Sequence, residues 1–319
     1  MPTLLPISVA LLCVTTVATL GNTYKNIGHN GKAFIENVIF ESRARSTLHC
    51  AVFCDQQECC LTFTFDGDVC RGHGNMGMFN TSSFADDSGA RTFSTGKLDK
   101  NALNYKPKDC VEAGRCGGKS GVVTIYPDDD NTGLQVYCDQ DTEGGGWLVF
   151  QRRQNGSVDF YRKWNMYKHG FGSLDGEFWL GLDALHVLTS RQIQDLRVDL
   201  MKFDGTRGNA SFSNFVISDS SDNYRLHFDG FTGGKAGNSL AVHNGMQFST
   251  RDADNDINDG ENCAAFRQAA WWFASCDDSN LNGHYMSTRM EGDKGVLWDT
   301  FDGGFSLKFS EMKMRPSLV

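Results

Sequence analysis

Proline, positive charge and catalytic motifs are all scarce in this sequence. Proline accounts for 5 of the 319 residues, and 39 acidic residues outnumber 30 basic ones, giving a formal net charge of −9. This acidic balance disfavours nucleic acid as a partner. The 8 histidines are scattered, and no Gly-x-Ser-x-Gly, His-Glu-x-x-His or phosphate-binding loop accompanies them. The sequence therefore predicts a binding protein and not an enzyme.

The N-terminal segment also lacks charged side chains, and the first charged residue of the sequence is Lys25. Residues 4–20 are apolar with small side chains interspersed, which is typical of a secretory signal and short for a membrane span. Because no basic segment precedes this run, an N-terminal membrane anchor stays the alternative. We expect a signal peptide over residues 1–21 and a secreted, extracellular chain with no membrane span after cleavage.

Cysteine, by contrast, is abundant, with 11 residues. Cys13 would leave with the signal peptide, and the remaining cysteines form an even number, as in a secreted disulfide framework. Zinc is the alternative, but the paired Cys-x-x-Cys arrays and His pairs of zinc sites are missing. Sequons at Asn80, Asn155 and Asn209 predict N-glycosylation in the same compartment.

Residues 22–98 predict a small domain stapled by disulfides. Residues 46–54 begin with a serine that can cap a helix and continue with apolar groups at helical spacing. Cys50 and Cys54 would therefore share one face of that helix. Residues 33–40 and 60–65 alternate like strands.

This pattern resembles the PAN/apple module, a small secreted fold with a helix on a sheet. The resemblance rests on Cys-x-x-x-Cys in the predicted helix, Cys-x-x-Phe-x-Phe from Cys60, and a further cysteine at Cys70. It implies that Cys50 pairs with Cys70, and Cys54 with Cys60 or its neighbour Cys59. Such modules bind proteins or carbohydrates, and a spacer role is the alternative.

Residues 99–108 form a predicted short polar linker. The stretch has no Gly-x-y collagen repeat and no sustained heptads. A homo-oligomer would therefore have to form through other contacts.

Residues 251–285 carry the strongest chemical signal. Asp252, Asp254 and Asp256 alternate, and further acids follow within a few residues. Carboxylates at this density repel one another unless they are solvated or share a cation, and oxygen ligands in a flexible loop suit Ca²⁺. A solvated acidic loop is the alternative. An EF-hand is excluded, because Ile257 takes its obligatory glycine position.

Residues 109–319 predict an α+β fold built on an antiparallel sheet, because several alternating stretches are separated by a few short helical patterns. The stretches that predict strands are residues 121–127, 134–139, 144–153, 197–201, 224–228 and 308–315. Residues 178–183 predict the entry to a helix.

The motifs of this half are similar to those of the fibrinogen C-terminal globular domain. They include Gly144-Gly-Gly-Trp, Gly176-Glu-Phe-Trp-Leu-Gly, Asn280-Leu-Asn-Gly-His-Tyr and Glu311-Met-Lys-Met-Arg-Pro. The resemblance runs through residues 109–319. It implies a twisted antiparallel sheet with short helices and a loop-rich subdomain for calcium and ligand.

The same resemblance implies the disulfides Cys110–Cys138 and Cys263–Cys276. Cys116 has no counterpart in that pair set. It would bridge to the spare cysteine of the N-terminal module or join two chains.

For the acidic loop, the resemblance implies Ca²⁺ held by Asp254 and Asp256 with the backbone carbonyls of Asn258 and of Gly260 or Glu261. It also implies an adjoining pocket for acetyl groups on sugars, with a cis peptide between Ser275 and Cys276. The residues assigned to this pocket are Arg267, Phe273, Ser275, Cys276, Asp277 and Tyr285. Trp271 and Trp272 are predicted to lie in the core.

Three charged residues depart from the acetyl-binding pattern. Asp277 stands where the family usually has histidine, Arg267 stands where an aromatic residue is frequent, and Asp293 lies where Tyr-Ala is usual. These residues would replace an aromatic funnel by charge. We therefore expect an altered ligand or weak binding of acetyl groups.

The expected function is that of a calcium-dependent pattern-recognition lectin of innate immunity. Its partners would be acetylated or related glycans and glycoproteins on microbial or cell surfaces. The alternative is a fibrinogen-related factor that binds a protein receptor or a matrix component.

Overall fold

The computed structural model of the chain describes residues 106–317 except 116–117 and 129–131, together with residues 25–26, 32–34, 38–45, 50, 54, 62–73, 84–86 and 91–94. The chain divides into two compact units, the second of which holds residues 108–113 and 120–319. Several sequence-based predictions fall outside the described residues: the signal peptide, most of the linker, Cys59, Cys60, Cys116 and Asn80.

The described part of the first unit is built from short antiparallel strands. These are β1 (Lys25–Asn26), β2 (Lys32–Phe34), β3 (Val38–Arg43), β4 (Thr62–Asp66), β5 (Val69–His73), β6 (Phe84–Asp86) and β7 (Arg91–Ser94). Five of them form a sheet in the order β1-β7-β4-β5-β3, and β2 pairs with β6.

A disulfide joins Cys50 to Cys70 on β5, as the resemblance implied. Cys54 is also disulfide-bonded. Within the predicted helix 46–54, only these two cysteines lie among the described residues, and both are helical and buried. The Cys50–Cys70 bond fastens Cys50 to β5.

The second unit is organised around one antiparallel sheet of ten strands. The strands are β8 (Gly121–Ile125), β9 (Leu134–Asp139), β10 (Trp147–Arg153), β11 (Phe171–Gly172), β12 (Phe178–Trp179), β13 (Gln194–Met201), β14 (Arg207–Ile217), β15 (Leu226–His227), β16 (Gly230–Gly233) and β19 (Phe309–Pro316). The main order is β11-β12-β10-β19-β13-β14-β15, with β9 and β8 attached beside β10 and β16 beside β14.

Short helices and one small ribbon complete this unit. The helices are α1 (Cys110–Gly114), α2 (Trp164–His169), α3 (Leu182–Arg191), α4 (Cys263–Arg267) and α5 (Asp299–Asp302), and the ribbon pairs β17 (Ser279–Asn280) with β18 (Leu297–Trp298). The α+β class and the antiparallel sheet agree with the sequence-based expectation. None of the helices described here has the length and apolar character needed to cross a membrane.

Two strands differ from what the residue patterns predict. β14 was missed because its first half mixes glycine, asparagine and serine, yet it pairs with β13 from Met201↔Arg207 to Gln194↔Phe215. Strand pairing therefore overrides weak local preference here. The stretch 224–228 shrinks to β15, because Tyr224 has a left-handed backbone with φ 52°.

The central sheet has one apolar and one charged face. Alternate residues of β13 and β19, such as Val198 and Met312, enter the core, where Trp271 and Trp272 are also fully buried. The prediction that both tryptophans belong to the core is confirmed.

On the charged face, Lys313 Nζ lies 2.6 Å from Asp139, 2.7 Å from Asp199 and 2.8 Å from Glu311. Burial alone would lower the pKa of Lys313, but these carboxylates outweigh burial and raise it. The lysine therefore links three strands of the sheet as a permanent cation.

A second buried charge pair, Arg153 and Glu177, lies at the end of β10. Glu177 is fully buried and accepts hydrogen bonds from the backbone N–H groups of residues 154, 155, 156 and 158. Burial would raise the pKa of Glu177, but these donors hold it below its usual value.

The partner of Glu177 is Arg153, whose Nε lies 3.9 Å from the carboxylate. Arg153 Nη1 donates to the carbonyls of Leu281 and Gly283, at 3.1 and 2.6 Å. Burial lowers the pKa of Arg153 to about 10, so the guanidinium stays charged at neutral pH. The pair therefore fastens the loops at 154–158 and 281–283 to the sheet.

The substitution Glu177→Gln is expected to lower the free energy of unfolding by about 3 kcal/mol, because it leaves Arg153 buried without a counter-charge. Urea unfolding at pH 7 measures this effect. Glu143→Gln is the matched control, since Glu143 is 68% exposed beside Arg197, and a change within about 0.5 kcal/mol is expected. Equal effects of the two substitutions would contradict this role of Glu177.

Candidate functional site

Residues 251–293 form a loop-rich piece that is held together by α4 and one disulfide. Asn262 caps α4, because its side chain accepts a hydrogen bond from Ala265 N at 2.9 Å. Cys263, the first residue of α4, is bonded to Cys276, and the peptide between Ser275 and Cys276 is cis. The resemblance had implied both features. Cys110 and Cys138, the other pair implied for this unit, are bonded as well.

The three alternating acids have different surroundings. Asp252 accepts hydrogen bonds from Trp164 N at 2.9 Å and from Thr250 Oγ1 at 2.8 Å, so it fastens the loop to the start of α2. Asp256 accepts from Asn258 N at 2.9 Å and from Cys263 N at 2.8 Å. Asp254 is exposed beside Asp256.

Asp254 and Asp256 are suited to share a cation. Burial and the neighbouring charge of Asp254 raise the pKa of Asp256 in spite of its two N–H donors. A shared cation would remove that repulsion. Among the residues that the structure describes, no group of three Asp, Glu, His or Cys side chains is placed to hold a metal ion. The backbone carbonyls of Asn258 and of Gly260 or Glu261 stay predicted ligands.

The side chain of Asn258 is already engaged. Its Oδ1 accepts from Gly260 N at 3.0 Å, and its Nδ2 lies 3.7 and 3.9 Å from the two sulfur atoms of Cys263 and Cys276. Ile257 N in turn donates to Ala274 O at 3.3 Å. The acidic loop and the disulfide loop are therefore directly connected.

The three departures from the acetyl-binding pattern meet in space. Arg267 Nε lies 2.6 Å from Asp277 Oδ1, and Arg267 Nη1 lies 2.9 Å from Asp293 Oδ2. The side chain of Asp277 is 2% exposed, that of Arg267 16% and that of Asp293 69%. The expected pocket position is therefore filled by charged groups that bind one another.

More carboxylates surround this cluster than the sequence had indicated. Burial raises the pKa of Asp277 to about 7, although Arg267 lowers it, and Asp299 and Asp293 add to the rise. Burial and the charge of Asp278 also raise the pKa of Asp299. Asp278 and Asp299 were missed because nothing in their spacing shows that β17 and β18 bring them together.

Phe273 cannot contact a ligand and its assignment to the pocket is wrong, whereas Tyr285 is half-buried and its assignment stays a prediction. The ring of Phe273 is fully buried in the main core and offers no surface to a ligand. The hydroxyl oxygen of Tyr285 lies 2.8 Å from Gln154 O and 2.9 Å from Lys308 O, so its single proton is shared between two acceptors and the side chain links two strand ends. Local sequence could not show this, because both contacts depend on the assembled sheet.

The other predicted residues lie at or near the surface. Ser275 is exposed, and Cys276 is half-buried in its disulfide. Of the two sequons that are described, Asn155 is exposed on the loop held by Glu177, whereas Asn209 is half-buried on β14.

The sequence did not predict the buried histidine, His243, that lies behind the disulfide loop. His243 Nδ1 lies 2.7 Å from Trp272 O, and its Nε2 accepts from Ser279 N at 3.2 Å. The ring must be neutral to donate at one nitrogen and accept at the other. Burial lowers the pKa of His243 to about 4. An isolated histidine in the sequence gave no signal for this role.

These features define a disulfide-bonded binding domain. A family model described as fibrinogen beta and gamma chains, C-terminal globular domain, matches residues 106–317. The chain belongs to this family, whose members are non-enzymatic binding proteins. The resemblance that the motifs carried is thereby confirmed for this half of the chain.

Among proteins of known sequence, the chain is similar to fibrinogen C domain-containing protein 1-B of Xenopus laevis. The two are 42% identical over 223 residues, which cover 67% of this chain and 48% of that protein. Fibrinogen C domain-containing protein 1 of Xenopus tropicalis gives the same identity and coverage. The chain therefore spans about half the length of the curated relatives it matches.

Among solved structures, the chain is similar to the fibrinogen-like globe domain of human ANGPTL6, with 40% identity and a TM-score of 0.64 over 67% of this chain and 97% of that one. It is also similar to lamprey fibrin D-dimer complexed with the peptide Gly-His-Arg-Pro-amide. Here the identity is 35% and the TM-score 0.63, over 67% of this chain and 76% of that one.

The buried His243 predicts a loss of stability in acid. Its folded pKa of about 4 lies below the unfolded value, so its contribution is complete above about pH 6.5 and is lost as the pH falls toward 4. Between pH 7 and pH 4.5 this single group removes about 2.5 kcal/mol from the free energy of unfolding. Urea unfolding at both pH values measures the loss.

In His243→Gln this part of the pH dependence should vanish, while groups common to both proteins cancel in the comparison. His284→Gln is the control, because His284 is exposed. An unchanged pH dependence in His243→Gln would exclude the assignment.

Proposed function

We propose that this chain is a secreted, calcium-dependent recognition protein that binds glycans or glycoproteins on cell or microbial surfaces through residues 251–293. The observation that supports this most is the connection between the two loops of this piece. Asp256 accepts a hydrogen bond from Cys263 N, and Ile257 donates to Ala274 O. An ion on the acidic loop would therefore order the disulfide loop that presents the ligand-facing residues.

In this proposal, the carboxylates of Asp254 and Asp256 hold Ca²⁺ together with the backbone carbonyls of Asn258 and of Gly260 or Glu261. Bound calcium would supply positive charge between two acids that otherwise repel. Oxygen donors in a flexible loop fit this ion, and the affinity should be that of an extracellular module, with a Kd of about 10⁻⁴ to 10⁻³ M.

A protein ligand is the second candidate, and the cluster of Arg267, Asp277 and Asp293 favours it. Charged side chains in place of an aromatic funnel suit a polypeptide with its own charges better than a neutral acetyl group. The likeness to lamprey fibrin complexed with a peptide points the same way. The chain would then be a fibrinogen-related factor for a receptor or matrix component.

The rest of the chain fits an extracellular protein. A signal peptide over residues 1–21 would direct secretion, and the disulfides are those of an oxidising compartment. Residues 22–98 would form the PAN/apple-like module, as a second binding module or a spacer. Glycosylation would occur at the sequons, of which Asn155 is exposed. Cys116 would form a disulfide that joins the fibrinogen-like domain to the PAN/apple-like module or to a second chain.

The calcium part of the proposal predicts stabilisation by the ion. With 10 mM Ca²⁺ and a Kd of about 10⁻⁴ to 10⁻³ M, the free energy of unfolding should rise by about 1.4–2.7 kcal/mol. Asp254→Asn and Asp256→Asn should remove this gain, whereas Asp259→Asn, in the same loop, should keep it. Urea unfolding with calcium or EDTA measures the effect, and equal gains in all four proteins would contradict the assigned ligands.

The ligand part predicts weak binding of N-acetylglucosamine. A glycan array probed with the full chain, with calcium and with EDTA, tests whether any glycan is bound and whether binding needs the ion. A calcium-dependent signal on glycans other than simple acetylated sugars supports the first candidate. Tight calcium-dependent binding of N-acetylglucosamine would contradict the proposed change of the pocket, and an empty array with binding to a purified protein favours the second candidate.

A further inference from the structure

We propose that Asn255 and Asn223 are positioning residues, which hold the two proposed carboxylate ligands of calcium in the binding conformation before the ion binds. Those ligands are Asp254 and Asp256. Calcium affinity is then set in part by Asn223, a residue that lies outside residues 251–293 and is not among the proposed ligands. The inference rests on the proposed function for the identity of the ion, whereas the anchoring of the loop can be measured in calcium-free protein.

The acidic loop experiences a force that opens it when no ion is bound. The carboxylates of Asp254 and Asp256 lie close enough to interact directly, and like charges at such a separation repel each other. A loop that is to receive a cation between these two acids must therefore be held together by other contacts.

Asn255, the residue between the two acids, is fastened to the rest of the domain at three points. Its backbone N–H donates to Ser249 Oγ at 2.9 Å, and its Nδ2 donates to Phe248 O at 2.8 Å. Its Oδ1 accepts from Asn223 Nδ2 at 3.2 Å. Because Phe248 and Ser249 are fully buried, these contacts tie the acidic loop to the core.

The side chain of Asn255 has the chemistry that this position requires. Its oxygen faces a donor on Asn223, and its nitrogen faces an acceptor, the carbonyl of Phe248. A carboxylate at this position would place an oxygen against that carbonyl, and an apolar side chain would leave both partners without a hydrogen bond. An amide between the two acids therefore serves as the anchor of the loop.

Asn223 is itself held in a fixed orientation. Its backbone is left-handed, with φ 47°, a conformation in which asparagine is enriched. Its carbonyl accepts from Phe248 N at 2.9 Å, and its Nδ2 also donates to Gln247 Oε1 at 3.2 Å. Gln247 Nε2 in turn donates to Asp222 Oδ1 at 3.0 Å. The hydrogen bond that Asn223 donates to Asn255 therefore starts from a well-supported turn.

Anchoring of this kind raises the affinity for an ion, because the apparent affinity is reduced by the fraction of molecules whose site is not in the binding conformation. Residues that hold metal ligands in place typically contribute about 10- to 100-fold to metal affinity. Asn255 keeps two of its three anchoring contacts when Asn223 is removed. We therefore expect the loss of the Asn223 side chain to weaken calcium binding by about tenfold, the lower end of that range.

Asn223→Gly is the test variant, because glycine keeps the left-handed backbone and removes only the side chain. Asn214→Gly is the matched control, since Asn214 is also left-handed, with φ 53°, and its Nδ2 donates to Asp229 and not to the acidic loop. Hydrogen exchange of residues 251–262 of the full chain in EDTA measures the loop without the ion. Melting temperatures over a range of calcium concentrations measure the affinity.

Asn223→Gly should exchange faster than wild type in this segment and bind calcium about tenfold more weakly, whereas Asn214→Gly should change neither property. Asn255→Asp separates positioning from charge. Its added carboxylate lies between the two ligands, so attraction alone would tighten calcium binding, whereas the lost hydrogen bond to Phe248 O should weaken it. Tighter binding by Asn255→Asp would overturn the inference.

The two measurements separate this inference from the proposed function. If calcium stabilises wild type and Asn223→Gly with equal affinity, the calcium site stands and the inference is overturned. If calcium does not stabilise the wild type while exchange in EDTA still rises in Asn223→Gly, the assigned ion fails and the anchoring of the loop stands. If exchange is unchanged as well, both fail.

Discussion

The loops at residues 154–158 and 281–283 depend on the buried pair of Arg153 and Glu177 at the end of β10. Glu177 gathers the N–H groups of residues 154–158, and Arg153 holds the carbonyls of Leu281 and Gly283. Two loops that are distant in sequence are thereby fixed to one strand of the sheet. Because each partner is fully enclosed, losing either would leave an uncompensated charge inside the protein.

Charges in this domain fall into two groups. Framework charges such as Lys313 and Glu177 are surrounded by partners that satisfy them, and their pKa values move toward the ionised form. Asp277 is the reverse, because burial outweighs the attraction of Arg267 and raises the pKa of Asp277 to about 7.

The sequence indicated much of the framework, because its signals are local or shared with a family. Alternating residues predicted β8, β9 and β19, and the motif around Cys263 carried the disulfide loop and its cis peptide. The features that the sequence could not indicate depend on contacts between residues that are far apart in the chain. β14 forms because β13 pairs along it, and Phe273 is buried because the assembled core encloses it.

The charged cluster was predicted only in part from the sequence. Arg267, Asp277 and Asp293 stood out as departures from a pattern, but spacing could not show that they bind one another, nor that Asp278 and Asp299 join them. We propose calcium at Asp254 and Asp256, beside a pocket position that charged residues fill. A crystal structure grown with calcium, with an anomalous difference map, tests this most directly. The proposed site predicts one calcium peak about 2.3–2.6 Å from the carboxylates of Asp254 and Asp256. A peak among Asp277, Asp293 and Asp299, with none at Asp254 and Asp256, would contradict it.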